Sequence, residues 1–327
     1  MSGAIDVSIV IPTRNGGPRL LRVLDAVRGQ KSELRVEHVV IDSRSGDGSD
    51  EAARARGFRV MTTDPRTFNH GATRDEAIGQ TRGELIVLLV QDARPVDDRW
   101  LDGLARPLLA DRDAAGAFSR QVPIPGGNPI LEARLRGWIA GKDEARRAQL
   151  TPDRPWESLT PFERLGLVAF DNVSSCIKRD RWRRRPFGRV PFGEDIAWAT
   201  AAIRAGDAIR FEPRSIVEHS HDRSWWHEAR RIYCDHRNLN RLLGMRTVAT
   251  FAEARRGAAG AAAHYEALLT AAGLPPDQLA HRRSWARRYA LGEAVAQWLA
   301  PLVNASEQEH GDNTLLAWLD RRTRRGI

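Results

Sequence analysis

The chain has very little cysteine and very little lysine. Among 327 residues only Cys176 and Cys234 are cysteines, and no CxxC pair occurs. A disulfide framework and a cysteine zinc site are therefore excluded, and a reducing compartment fits. Lysine is confined to Lys31, Lys142 and Lys178, so the net charge of +9 is carried by arginine. No apolar run approaches the ~20 residues that cross a bilayer. No charged-then-apolar leader precedes the first strand-like run, so no signal peptide is expected and the expected location is cytoplasmic. Neither GxGxxG after that run nor GxxxxGK[ST] anywhere is present, which argues against dinucleotide and P-loop sites. Zinc-finger, helix-turn-helix and aromatic RNA-stacking patterns are missing too, and no nucleic acid is expected as a partner. Arginine forks suit phosphate of any origin, and a GC-rich coding bias explains the same skew. Charge alone decides little.

The most informative stretch is Gly83 to Pro95. Six apolar residues in a row, Leu85 to Val90, read as a strand buried on both faces. It runs out at Asp92. A carboxylate at the tip of a central strand either caps the next element or holds a divalent cation over a phosphate. Before it, Val7 to Ile11, Val36 to Ile41 and Phe58 to Met61 read as strands, and Leu20, Leu21, Leu24 and Val27 mark an amphipathic helix that starts near Pro18. Strand and helix alternate four times in about ninety residues, the signature of a doubly wound, mostly parallel sheet with helices on both faces. Two strands end on acids, Asp42 and Asp92. A nucleotide site explains that pair, one acid meeting base or ribose and the other the metal and diphosphate.

Downstream, Arg99 to Leu109 reads as a helix and Ala115 to Gln121 as a strand. Residues 122–168 look irregular, with Pro123, Pro125, Gly126, Gly127, Pro152, Pro155 and Pro161 among residues that suggest a loop or a substrate-facing insert. Trp138 and Trp156 there either pack or stack on a sugar ring. Asp171 to Ile177 is expected to be a strand. Gly193-Glu194-Asp195 opens a helix, where an acidic pair is ordinary dipole chemistry or a catalytic carboxylate. Ala208 to Glu212 reads as a short strand. His219 and His221 then alternate on an extended segment, either hydrogen-bonded near a sheet end or ligating a metal. From residue 224 the pattern is helical to the end: 226–243, 251–272, 284–302 and 315–322. Arg282, Arg283, Arg287 and Arg288 beside Trp285 and Tyr289 make a basic amphipathic helix that suits either packing or peripheral membrane contact.

The segments Val7-Ser8-Ile9-Val10-Ile11-Pro12-Thr13-Arg14-Asn15-Gly16-Gly17 and Ile41-Asp42-Ser43-Arg44-Ser45-Gly46-Asp47-Gly48-Ser49 resemble the start of family-2 glycosyltransferases of GT-A fold. Phe68-Asn69-His70-Gly71-Ala72-Thr73-Arg74 and Val90-Gln91-Asp92-Ala93-Arg94-Pro95 narrow the resemblance to bacterial rhamnosyltransferases of surface polysaccharide synthesis. It covers about residues 5–225 and implies a GT-A catalytic domain over 1–223 (122–168 an acceptor-side insert) with a helical C-terminal extension, 224–327. It implies that Pro12, Thr13, Asn15, Asp42 and Gln91 line the nucleotide-sugar pocket and that Arg74 meets the diphosphate. Asp92 would be the last acid of the metal-binding DxD element, with Val90 standing where the first acid is usual. His219, or else His221, would close the site for Mg2+ or Mn2+. Glu194 and Asp195 match the ED motif, with Asp195 as general base. The activity implied is inverting transfer of a sugar, L-rhamnose by subgroup, from a nucleotide-diphosphate donor to a glycan or lipid-linked acceptor at the inner face of the membrane. Two other readings are a basic nucleic-acid or membrane-surface binding protein with a degenerate nucleotide site, and a nucleotidyltransferase.

Overall fold

The computed structural model describes residues 5–311 and 314–326. They fall into two compact units. One runs to Pro125 and adds Leu135–Leu159 and Gly166–Ser220; the other holds Gly126–Arg134, Thr160–Leu165 and the chain from His221 on.

In chain order the first half gives β1 (Val7–Thr13), α1 (Gly17–Arg28), β2 (Val36–Asp42), α2 (Ser49–Ala55), β3 (Arg59–Thr62), α3 (His70–Gly79), β4 (Leu85–Leu89), β5 (Arg94–Pro95), α4 (Trp100–Ala110) and β6 (Ala114–Val122). There follow α5 (Pro129–Gly137), β7 (Arg146–Ala148), α6 (Pro161–Val168), β8 (Ser174–Lys178), α7 (Arg179–Arg184), α8 (Glu194–Arg204) and β9 (Ala208–Glu218). The helices α9 (Trp225–Leu243), α10 (Phe251–Ala271), α11 (Pro276–His310) and α12 (Leu315–Arg324) complete the described chain.

The strands form one sheet in the order β3-β2-β1-β4-β8-β6-β9-β5, with β7 also paired to β9. β1 to β4 are parallel. β8 runs antiparallel between β4 and β6, and β9 returns parallel to β6. All five residues of β4 are buried, as its unbroken apolar run requires. The core between sheet and helices is built from Ile9, Ile11, Val87 and Leu89 against Leu20, Leu24 and Val27 of α1 and Trp100, Leu101, Leu104 and Leu108 of α4. A buried polar seam crosses the later strands: the Trp100 indole donates to Ser174 (2.9 Å), and Ser119 bonds both Ser174 (2.7 Å) and Ser215 (2.8 Å). Every hydroxyl in that seam has a partner, which removes the cost of burying it.

Three stretches differ from the sequence-based expectation. β8 starts at Ser174 rather than 171, because Asp171 turns back on the Val173 amide (2.9 Å) and Asn172 accepts from Ser175 (2.8 Å); short polar side chains compete locally with a ladder. β9 is eleven residues long rather than five, passing Pro213 with a register shift against β6, the kind of irregularity that lets a strand carry proline. Residues 122–168 hold two helices and a strand.

In the second unit α11 begins at Pro276, where proline suits a first helical turn, so the Pro275-Pro276 pair starts a helix rather than merely ending one. Its Trp285 and Tyr289 are buried with Tyr265, Leu269 and Ile130. The aromatic side of this basic helix is therefore core, not a membrane-facing stripe.

Gly83 marks the tightest approach in the sheet. A Cβ there would lie 2.5 Å from the Ser8 nitrogen and 2.6 Å from the Val7 carbonyl carbon, while the Gly83 amide donates to Ser8 Oγ (2.8 Å). Gly83→Ala must push β1 and β4 apart. It is expected to lower stability by about 2 kcal/mol, read from urea unfolding midpoints; an unchanged midpoint would show that this edge yields without strain.

Candidate active site

At the C-terminal ends of β1 and β2 two loops are zipped together by side chains. Ser45 Oγ accepts from the Asn15 amide (2.8 Å), Asn15 Oδ1 from the Gly46 amide (2.9 Å), Asp47 from the Gly17 amide (3.0 Å) and Ser49 from the Gly16 amide (3.0 Å). Asn15 and Arg44 adopt left-handed backbone, φ 48° and 54°. Asp42 is buried and accepts the Ser45 amide (2.8 Å) and hydroxyl (2.5 Å). Thr13 and Ser43 beside it are buried, and their hydroxyls have no partner among the described residues. Buried hydroxyls without partners are rare and call for an explanation such as a ligand. Pro12, next to Thr13 in β1, is half-buried. Gln91 reaches this loop from the turn after β4, its Oε1 accepting the Arg14 amide at 2.9 Å and its Nε2 donating to the Arg14 carbonyl at 3.3 Å.

A second group forms where β4 and β9 end. Arg94 pairs with Glu218 in antiparallel register, and its guanidinium holds the Glu218 carboxylate at 2.6 Å. Carried two residues back from Arg94 and a few residues on from Glu218, that register sets Asp92 beside the segment with His219 and His221. Ser220, between the histidines, points the other way and accepts the Ile124 amide (3.0 Å), so alternation puts both imidazoles on one side. The ligand atoms of Asp92, His219 and His221 lie within 4.8 Å of one another. His219 Nε2 is 3.8 Å from Asp92 Oδ1. One carboxylate and two imidazoles form a donor set that fits a divalent first-row cation, manganese better than magnesium. Val90, partly buried, packs against the hydrophobic core, so the position where the first acid is usual offers no ligand atom.

The third group is the acidic pair. Gly193, left-handed at φ 67°, precedes α8 and presents Glu194 and Asp195 at its first turn. Arg74, 3% exposed, donates to Glu194 at 2.5 Å, and Asn172 Nδ2 donates to the same oxygen at 3.3 Å. Arg74 is thus engaged with the acidic pair rather than standing exposed on its helix. Asp195 accepts the Ile196 amide (2.8 Å) and the Asn172 amide (3.3 Å). Burial would raise the Glu194 carboxyl, but Arg74, His70 and the Asn172 amide outweigh it and hold the group below its usual range. Asp195 goes the other way: burial first, then the charges of Glu194 and Asp171, push it up to about 8.

The Asn69-to-Asp75 motif explains how this pair is placed. Asn69 caps α3 by accepting the Ala72 amide (3.1 Å) and ties down the Val190 carbonyl (2.6 Å). Asp75 accepts the Trp182 indole (2.6 Å) and the Phe187 and Gly188 amides (3.1 and 2.7 Å). A Cβ on Gly71 would stand 2.2 Å from the Gly188 carbonyl oxygen. Only glycine lets α3 come this close to the loop that delivers Glu194. Of the two tryptophans raised as sugar platforms, Trp156 is 7% exposed under the Arg204 guanidinium and so is packing; Trp138 is half-buried.

Gln121 and its partner Asp171, passed over in the sequence, link the groups. Gln121, 4% exposed at the end of β6, donates from Nε2 to Asp171 at 2.6 Å and presents Oε1 to His219 Nδ1 at 3.0 Å. Because the amide nitrogen is committed to Asp171, its oxygen faces the imidazole. Nδ1 then carries the proton and Nε2 the lone pair, the tautomer a metal ligand needs. A buried polar side chain closing an apolar strand is the signal that points to Gln121.

A mixed α/β sheet with a zipped loop pair, a carboxylate–imidazole cluster and an acid-opened helix at one edge places the chain in the GT-A fold class. The model for "Glycosyl transferase family 2" matches residues 8–187, more than half of the chain, and the chain belongs to that family. It is 27% identical over 223 residues to the O-antigen chain rhamnosyltransferase RfbN of Salmonella typhimurium, covering 66% of this chain and 67% of that one. It is 25% identical over 226 residues to the O-antigen chain rhamnosyltransferase WbaN of Salmonella anatum, covering 66% of each. Each match thus spans about two thirds of the relative. Among solved structures it is similar to the mannosyltransferase PcManGT of Pyrobaculum calidifontis, described in complex with GDP-Man and Mn2+, with a TM-score of 0.52, 17% identity, and 98% and 85% of the two chains covered.

Two measurements test this geometry. Between the unfolded value of 3.8 and the folded value of about 8 the native state holds a proton on Asp195 that the unfolded chain releases, so this group lowers stability as pH rises through that window. Asp195→Asn removes the ionisation and is expected to be more stable than the wild type by about 2 kcal/mol or more at pH 8, the gap closing towards pH 4. Melting curves across that range check it, and a pH-independent gap would contradict a raised carboxyl. Gln121→Leu is expected to weaken Mn2+ binding about 10- to 100-fold by calorimetry, with the fold intact; unaltered affinity would remove Gln121 from the site.

Proposed function

We propose that this enzyme moves L-rhamnose from a nucleotide-diphosphate donor to a hydroxyl of a glycan or lipid-linked acceptor, with inversion, in synthesis of a surface polysaccharide of the O-antigen kind. The reading rests on one observation above the others. Two buried hydroxyls without partners among the described residues, an Asp–His–His cluster able to hold a metal and a buried carboxyl pushed above its usual range lie at one edge of a single sheet. The sugar and the acceptor class come from the activities named for the two Salmonella relatives. Placement at the inner face of a membrane follows from a lipid-linked acceptor, and among the described residues no helix is long and apolar enough to cross one.

In this reading Asp42, Thr13 and Ser43 take the base and ribose, with Pro12, Asn15 and Gln91 shaping the wall. Asp92, His219 and His221 would hold Mn2+ or Mg2+, which supplies positive charge for the leaving diphosphate. Asp195, oriented by the amides of Asn172 and Ile196, accepts the proton of the acceptor hydroxyl as that oxygen attacks the anomeric carbon. A hydroxyl gives up its proton only as the new bond forms, so a base whose pKa lies near working pH is well matched. Glu194 stays ionised against Arg74, and its charge is part of what raises Asp195. One displacement with no covalent protein nucleophile inverts the anomeric centre. Residues 122–168 are assigned to the acceptor side.

Calorimetric titration with dTDP, UDP and GDP, each with and without Mn2+ or Mg2+, tests the donor site. Metal-strengthened binding of one nucleotide is expected, with the strengthening lost in Asp92→Ala; no binding of any nucleotide would overturn the reading. Asp195→Asn is expected to lower turnover about 10²- to 10⁴-fold while donor affinity stays within a few fold. Retained turnover would place the base elsewhere.

A further inference from the structure

The two faces of α12 differ sharply. Its inner face is set by Ala317 and Asp320, 2% and 1% exposed. The Asp320 carboxylate accepts the Tyr233 hydroxyl (2.8 Å) and Arg324 Nε (2.7 Å), and it pairs with the Arg237 guanidinium. Tyr233 and Arg237 both belong to α9. A buried carboxylate held by three partners fixes the rotation of the short helix about its axis, because turning it would leave that charge unpaired.

With rotation fixed, the opposite face is turned outward. Leu315, Trp318 and Leu319 are 72%, 44% and 37% exposed. At spacings of three and four they form one stripe, which Arg322 continues with its guanidinium 4.9 Å above the Trp318 ring. Arg321 and Arg325 are exposed beside it. From 315 to 326 the chain has four arginines and one acid, 4 − 1 = +3, and that acid is the buried Asp320. Single exposed apolar side chains are ordinary, whereas three contiguous ones rimmed by one sign of charge mark a contact surface.

We infer that this face of α12 docks on an anionic lipid surface. Charge selects the occupant. A second copy meeting the same patch about a two-fold axis would set arginine against arginine, and the one acid among residues 315–326, Asp320, is buried. An anionic bilayer takes both components at once: leucines enter the acyl boundary, the indole sits at headgroup level and the arginines meet lipid phosphates. The helix lies on the membrane and does not span it. This deepens the lipid-linked acceptor reading but stands on the surface alone, so either can fail without the other.

Flotation of the full chain with phosphatidylglycerol-containing vesicles, against phosphatidylcholine vesicles, tests it. The wild type is expected to float with the anionic vesicles alone, and less so as salt rises. The variant Leu315→Ser/Trp318→Ser/Leu319→Ser is expected to lose flotation at least tenfold. Arg321→Gln/Arg322→Gln/Arg325→Gln is expected to lose it on the order of 100-fold, about fivefold per arginine. Circular dichroism and nucleotide binding confirm that both variants are folded. Wild-type protein that does not float, or variants that float equally well, would overturn the inference. So would a wild-type dimer by sedimentation that the serine variant dissociates, which would assign the stripe to self-association.

Discussion

The site depends on one buried guanidinium. Arg74 sits among buried groups, and of the acidic pair it is Glu194 that it hydrogen-bonds directly. Two adjacent carboxylates at a desolvated helix start repel each other, and both ionise only if something compensates. Arg74 compensates one. The other is left to burial and to the repulsion of Glu194 and Asp171, so neighbouring acids acquire opposite proton habits. Without the arginine the difference would shrink to what Asp171 beside one carboxylate and His70 and Asn172 beside the other supply.

The same arginine explains why so much of the chain is spent on placing α3. Asn69, Gly71 and Asp75 each hold residues 182–190 by a different means: a side-chain amide donating to a carbonyl, a missing Cβ and a carboxylate with three donors. Arg179 adds a clamp from behind, donating to the Gly83 and Ile78 carbonyls and to Thr81. A sequence motif that reads as ligand-binding is, in this structure, largely scaffold for residues 120 positions away.

How far the sequence can be read follows from the range of the forces involved. β1, β2 and β4 are legible because burial on both faces demands unbroken apolar runs, and α1 and α4 because one-sided burial leaves a helical period. Asp42, Asp92, Glu194 and Asp195 are legible as acids at element ends. Gln121, Asp171 and Asn172 are not, since their meaning lies in partners 98, 50 and 22 residues distant that no local period encodes. Pro213 hides the length of β9 because a bulge absorbs it. Pro276 hides the start of α11 because proline both ends helices and begins them. The aromatic side of α11 and the outward face of α12 look alike in sequence; only the packing of Tyr289 and the pairing of Asp320 tell core from surface.

The strand order has a consequence for synthesis. β4 is the most apolar strand of the sheet, and its second neighbour, β8, ends 178 − 89 = 89 residues later in the chain. At ribosomal speeds of about 5–20 residues per second, the nascent chain carries that edge unpaired for roughly 4–18 seconds. Three parallel strands and their helices are already made, but the hydrogen-bonding edge of Leu85–Leu89 has nothing to meet. An unpaired apolar edge is a template for other chains. Protection during translation is therefore a demand set by topology itself, and it ends when the Ser174–Lys178 strand slots into the middle of the sheet.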